Sequence, residues 1–428
     1  MTQSSLGQSR IPMPDFSHLF SPAYSSADLK IINARLKTRP EQQIVLETLL
    51  SDYLVEFTLA TSALRSRITD LQPMESDMTA AESRSRTQIQ SDLEQTIEAI
   101  QKAHETGDMQ ALAELQQNLK DLHRRSDQEM EAIRPQPVNQ ETSRVVSEKI
   151  IDLLQNWRIE RRDLQTGFEA SVITVLDADQ VNAWSWTERH LRRLHELQDS
   201  RLSGESMDIW AAYESSAINE VKNESAEALL ADYESEMDGL LKEKREYLDN
   251  SKFELFYAAM ARDMGRGEIV VDHELELRRR IQQVNVKYAQ AMSRFLDEDQ
   301  GSLFIRDLRT KSFPRVYRPT RTHRVFGKVA SLADLETERL LSVKALILEY
   351  EAAYDGATED LYQITLRYES DLERMRMLHR YGLKRPESIS ETPEPIQEAY
   401  QARIEIDREF ERRLREILGE SRFASIGK

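Results

Sequence analysis

The stretch LQTGFEASVITVLDADQ, residues 164–180, sets Leu164, Phe168, Val172 and Leu176 four apart and runs directly into Asp177-Ala-Asp-Gln180. Side chains spaced by four lie along one stripe of an α-helix, so the first part reads as a core-facing helix edge. The closing Asp-x-x-Gln reads as the start of the next helix. Asp177 as N-cap accepts from backbone N–H groups, and Gln180 at the third helical position reaches back to the cap. The second acid, Asp179, falls in the first turn, where the helix dipole favours negative charge.

The same pattern recurs twice. Val284, Tyr288, Met292 and Leu296 precede Asp297-Glu-Asp-Gln300, and Ile406, Phe410, Leu414 and Leu418 precede Gly419-Glu-Ser-Arg422. Thr38 with Glu41 has the capping spacing as well, with Pro40 tolerated in a first turn. A calcium loop needs oxygen ligands at positions 1, 3 and 5, Gly at 6 and Glu at 12. Counted from Asp297, position 5 is Gly301 and position 12 is Leu308; counted from Asp177, no Gly stands at position 6. The acidic pairs are therefore read as helix joints.

A second repeated pattern opens helices. PEQQIVLETLLSDY (40–53) aligns without gaps to TERLLSVKALILEY (337–350), Tyr53 against Tyr350, and LLADYESEM (229–237) matches its second half. Pro- and Gly-bearing breaks at 71–77, 134–142, 200–206, 264–272, 312–329 and 384–395 interrupt an otherwise helical pattern. These observations predict an all-α, elongated protein of long antiparallel helices, helical hairpins with coiled-coil-like segments. Residues 1–27 read as a flexible tail, 28–200, 205–312 and 328–428 as three related helical modules, and 313–327 as a basic aromatic linker. The Glu-, Gln-, Arg- and Leu-rich region 80–134 is expected to be the longest hairpin arm.

Composition bounds the function. The 428 residues carry a net charge of −17, which disfavours wholesale binding to nucleic acid or to an anionic membrane surface. With no cysteine, disulfides, thiolate metal sites and cysteine nucleophiles are excluded. No basic region followed by an apolar run opens the chain, and no apolar stretch reaches 18 residues, so a soluble, cytoplasmic protein is expected from the sequence as it stands.

The four-step apolar edge followed by Leu, a capping residue, two residues and Gln resembles the LTxxQ signature of the Spy/CpxP-like family of all-α bacterial envelope-stress proteins. The matching positions are Leu176, Asp177 and Gln180, and again Leu296, Asp297 and Gln300; weaker matches are Pro40-Glu41-Gln42, Leu335 to Arg339 and Leu418 to Arg422. The resemblance implies a cradle of long antiparallel helices with chaperone-like or regulatory binding activity, and a periplasmic location if translation begins upstream.

The basic segment RDLRTKSFPRVYRPTRTHRVFGK (306–328) sets eight Lys or Arg against one acid, with Phe313, Tyr317 and Phe326 interleaved and Pro314 and Pro319 keeping its middle extended. Arg315, Tyr317, Arg318, Arg321 and Arg324 are its candidates for contact with an anionic partner or single-stranded nucleic acid. In so acidic a chain the favoured reading is a linker laid across its own acidic helices, its aromatics filling gaps between modules. No His pair has metal-ligand spacing, His190 and His195 being five apart. Gly265-Arg-Gly-Glu268 lacks the strand and the Lys-Ser/Thr of a phosphate loop. Trp184 and Trp186 point to different helix faces, one into the core and one outward. No catalytic, cofactor-binding or metal residues emerge, and no cofactor or small-molecule substrate is implied. The first expectation is a non-enzymatic binding protein, chaperone-like, that holds protein partners. The second is a scaffold that self-associates through long helices, and the third an anion or nucleic-acid binder working through 306–328.

Overall fold

A computed structural model describes residues 16–71, 140–215, 224–331, 335–383 and 394–426, together with helical positions Thr96, Ala99, Leu115 and Asn118. The expected 80–134 arm lies almost entirely outside the described residues. Those described form an all-α protein with thirteen α-helices, one 3₁₀ turn at Ser17–Phe20 and no strand.

In chain order the helices are α1 (Ser26–Leu36), α2 (Pro40–Leu71), α3 (Gln140–Val175), α4 (Ala178–Glu196), α5 (Ile209–Ser215), α6 (Glu224–Ala261) and α7 (Met264–Ser293). They continue as α8 (Glu298–Ser312), α9 (Pro314–Tyr317), α10 (Arg321–Ala330), α11 (Thr337–Arg380), α12 (Glu394–Leu418) and α13 (Glu420–Ile426). Their starts obey capping chemistry. Ser25 and Asp28 form a capping box on α1, Asp263 caps α7, Asp297 caps α8 and Thr320 caps α10.

One aromatic contact recurs in all three sequence repeats. The aligned tyrosine of the first long helix meets the ring on the four-step edge of the second: Tyr53–Phe168 at 5.1 Å, Tyr233–Tyr288 at 5.4 Å and Tyr350–Phe410 at 5.4 Å between centroids. Such pairs add about 0.5–1.5 kcal/mol beyond area burial.

The chain divides into two compact units, residues 1–50 with 169–428, and residues 51–168, so the division cuts through α2 and α3. The smaller unit is built on Tyr53, Phe57, Leu64, Ile150, Ile151, Leu154, Trp157 and Phe168, all buried. The larger one gathers the short helices because α1 packs on α4 and α4 on α6. Within it, α11 threads three cores over a length of about 66 Å at 1.5 Å per residue. Its first half packs with α10 and α12 around Tyr350, Leu346 and Leu414. Its middle gives Leu361 and Tyr362 to the core of α5–α9, and its end gives Met377 and Leu378 to the core around Leu275. Residues 205–312 therefore share a core with 328–428.

Two local expectations are corrected. In the anticipated tail, Phe16, Leu19 and Tyr24 are buried and Ser25 already caps α1. In the anticipated extended linker, Pro314 occupies the first turn of α9, where a missing N–H costs nothing, and Thr320 starts α10.

Candidate functional site

The paired joint comes first. Gln180 Oε1 accepts from the Asp177 backbone N–H at 2.9 Å, so the reach-back expected at this cap is present. At α2 only the reach-back half of a capping box forms, one residue on from Thr38 and Glu41. Pro40 takes the first helical position, so Gln42 rather than Glu41 falls third and accepts from Arg39 N at 2.9 Å. The two glutamines then meet: Gln42 Nε2 donates to Gln180 Oε1 at 2.8 Å. Each also donates to the last turn of the helix preceding its partner, Gln42 to Val175 O at 2.9 Å and Gln180 to Leu36 O at 3.2 Å. The arrangement is a quasi-two-fold clasp of two helix ends and two helix starts, and the weak Pro40-Glu41-Gln42 match proves to be the partner of the strong one. An exposed Arg39–Asp177 ion pair at 2.5 Å lies over it.

The twin at 297–300 is a plain cap. Asp297 Oδ1 accepts from Gln300 N at 2.8 Å, while the Gln300 side chain is exposed. Gly301 is required there because a Cβ would stand 2.5 Å from Ser293 O at the end of α7. Leu176 and Leu296 are half-buried beneath their caps.

An ionic hub that the sequence did not reveal surrounds residues 199–208. Glu205, fully buried, accepts from Arg278 Nη1 at 2.8 Å and Lys244 Nζ at 3.5 Å through one oxygen, and from Arg201 N at 2.8 Å through the other. Arg278 also binds Glu274 at 3.0 Å and Asp199 O at 2.6 Å. Burial works against its charge, but Glu205, Glu274 and Asp199 outweigh it and hold the guanidinium above its ordinary pKa. Asn285 takes the Gly204 and Glu205 carbonyls at 3.0 and 2.8 Å, and Ser203 gives its N–H and hydroxyl to Glu369 at 2.7 and 2.8 Å. Gly204 has φ +85°, and a Cβ there would stand 2.6 Å from Phe313 Cζ. Beside the hub, Arg193 binds Asp208 at 2.9 Å and Glu234 at 2.9 Å; Glu234 Oε2 has no hydrogen-bond partner among the described residues, and burial raises the pKa of this carboxyl. The only sequence signal of the hub was the Ser-Gly-Glu break itself, because its partners are scattered over four helices.

The basic segment has its aromatics inside. Phe313 is fully buried against Tyr362 at 4.8 Å, Phe326 packs on Tyr350 at 4.9 Å, and Tyr317 is half-buried near Arg309. The rings therefore pack into the cores of the chain. Arg315, Arg318, Arg321 and Arg324 stay exposed. Underneath, Tyr350 OH lies 2.8 Å from both Asp407 Oδ1 and His323 Nδ1, and Thr320 Oγ1 lies 3.1 Å from Asp407. Burial lowers the His323 pKa. Of the tryptophans, Trp184 is buried and Trp186 is 41% exposed.

Between α11 and α12 runs an open groove of about 470 Å³ lined by Ser342, Ala345, Leu346, Glu349, Arg413, Glu416 and Ile417. Leu341 and Leu348 beside it are 63% and 68% exposed. Ala345, Leu346 and Ile417 make its apolar floor, and the Glu349–Arg413 pair at 2.5 Å bounds it. Among the described residues no three His, Asp or Glu are grouped to hold a metal, and no helix is long and apolar enough to cross a membrane. Comparison with protein-family models, with curated proteins and with solved structures gave no match.

Proposed function

We propose that this chain is a non-enzymatic helical binding protein, chaperone-like, that holds apolar segments of protein partners in a groove between helices. The α11–α12 groove carries this reading: an apolar floor, a charged rim and two leucines left in water beside it make an interaction surface rather than a saturated core edge. The Gln42–Gln180 clasp joins the Leu176, Asp177 and Gln180 likeness to the Spy/CpxP-like family with its weaker match at Pro40-Glu41-Gln42.

The test is light scattering of insulin as its B chain aggregates after disulfide reduction, with the purified protein in molar excess. Suppression of the turbidity, weakened by Ala345→Glu on the groove floor, is expected. No suppression at any excess overturns the proposal.

A further inference from the structure

The groove lies beside a helix face that complements itself. Leu341, Ala345, Leu348 and Ala352 are all exposed on α11 and fall within about 60° of arc at 100° per residue. They alternate large and small at spacings of four, three and four, as in the seam of a coiled coil.

We propose that this face is occupied by a second copy of the same chain, α11 against α11 in antiparallel orientation. The proposal rests on the groove being a protein-binding site and names its partner. Size decides the orientation. Run antiparallel about a point between Leu346 and Ile347, Leu341 meets the partner's Ala352 and Ala345 meets the partner's Leu348. Every contact then joins one large side chain to one small one. A parallel pair in register would set leucine on leucine and alanine on alanine, with alternating crowding and gaps.

The groove supplies the hole that such packing needs. Leu348 of each copy enters over the partner's Ala345, where the partner's Leu346 and the partner's Ile417 form an apolar floor. Knob and hole stand three residues apart on one helix, so a two-fold axis fills both at once, as an isologous interface requires. Charge agrees. Lys344 and Glu351 flank the stripe on one side, both exposed and neither in an ion pair among the described residues. The antiparallel axis brings Lys344 to the partner's Glu351, and Glu351 to the partner's Lys344.

The experiment is a light-scattering concentration series on the full chain and three variants: Ala345→Leu, Leu348→Ala and the two combined. Both substituted positions are exposed, and circular dichroism checks that helix content is unchanged. Wild type should dimerise as concentration rises, and each single change should weaken the dimer by about tenfold or more. The double variant restores one large and one small side chain at every contact and should recover wild-type association. A wild type that stays monomeric at every concentration, or a dimer indifferent to the single changes, overturns the self-pairing. If such a monomer still suppresses insulin aggregation, the groove reading survives alone; if it does not, both fall.

Discussion

Gln42 Nε2 lies 2.8 Å from Gln180 Oε1, which ties together two helix starts 138 residues apart. Each glutamine spends its oxygen on its own helix cap and its amide protons on the opposite joint. A single truncation therefore unbalances both joints. Gln180→Ala and Gln42→Ala should each cost about 1–3 kcal/mol in urea unfolding. Their double-mutant cycle should show a coupling of about 1 kcal/mol. Gln300→Ala, at the exposed twin, should stay within about 0.5 kcal/mol of wild type.

Glu205 is the anion on which Arg278 and Lys244 converge inside the protein. Its removal leaves two buried cations short of a counter-charge and frees the Arg201 N–H. Glu205→Ala should lose about 3–5 kcal/mol. Glu276→Ala, which breaks the exposed pair with Arg279, should lose no more than about 1 kcal/mol by the same denaturation measurement.

Two glycines with positive φ separate strain from collision. At Gly419, φ is +80° with no atom near a new Cβ, so Gly419→Ala should cost about 1 kcal/mol. At Gly204 the same backbone strain adds to overlap with the buried Phe313 ring, and Gly204→Ala should cost about 2–4 kcal/mol. Thermal melting of the two variants side by side reads the difference.

His190 Nδ1 accepts from Arg35 Nη2 at 3.0 Å and Arg193 Nη2 at 3.1 Å, so its neutral form is the bonded one. Burial first, then these two arginines, lower its pKa from 6.5 to about 4. Between those values the unfolded chain binds the proton and the folded chain does not. Stability from this site is complete above about pH 6.5 and falls as the pH drops towards 4. His190→Gln should flatten the acid limb of a plot of melting temperature against pH across that window. An unchanged limb would show that other groups set it.

The helical class, the three recurrences and the caps at Asp177 and Asp297 were legible because they depend on neighbours within one or two turns. Four-residue spacing and a capping side chain act before any distant contact forms. The same local logic read the middle of 306–328 as extended, since two prolines and a run of like charge look like a linker when nothing shows that Phe313 and Phe326 are buried. The frame of Pro40 was missed by one residue for a similar reason: which residue falls third depends on where the helix begins.

What the chain determines by itself is where helices start and stop and which stripe of each is apolar. Only the tertiary structure decided which stripes meet. It made Gln42 the partner of Gln180 while leaving Gln300 in solvent, and it gathered Lys244, Glu205 and the Glu274–Arg278 turn of α7 into one buried hub. It also left Leu341 and Leu348 in water beside a groove although their spacing matches that of core residues. The physical reason is that helix formation and capping are local, whereas desolvation is settled by which surfaces come together, and identical stripes have very different energies once one is covered and another is not.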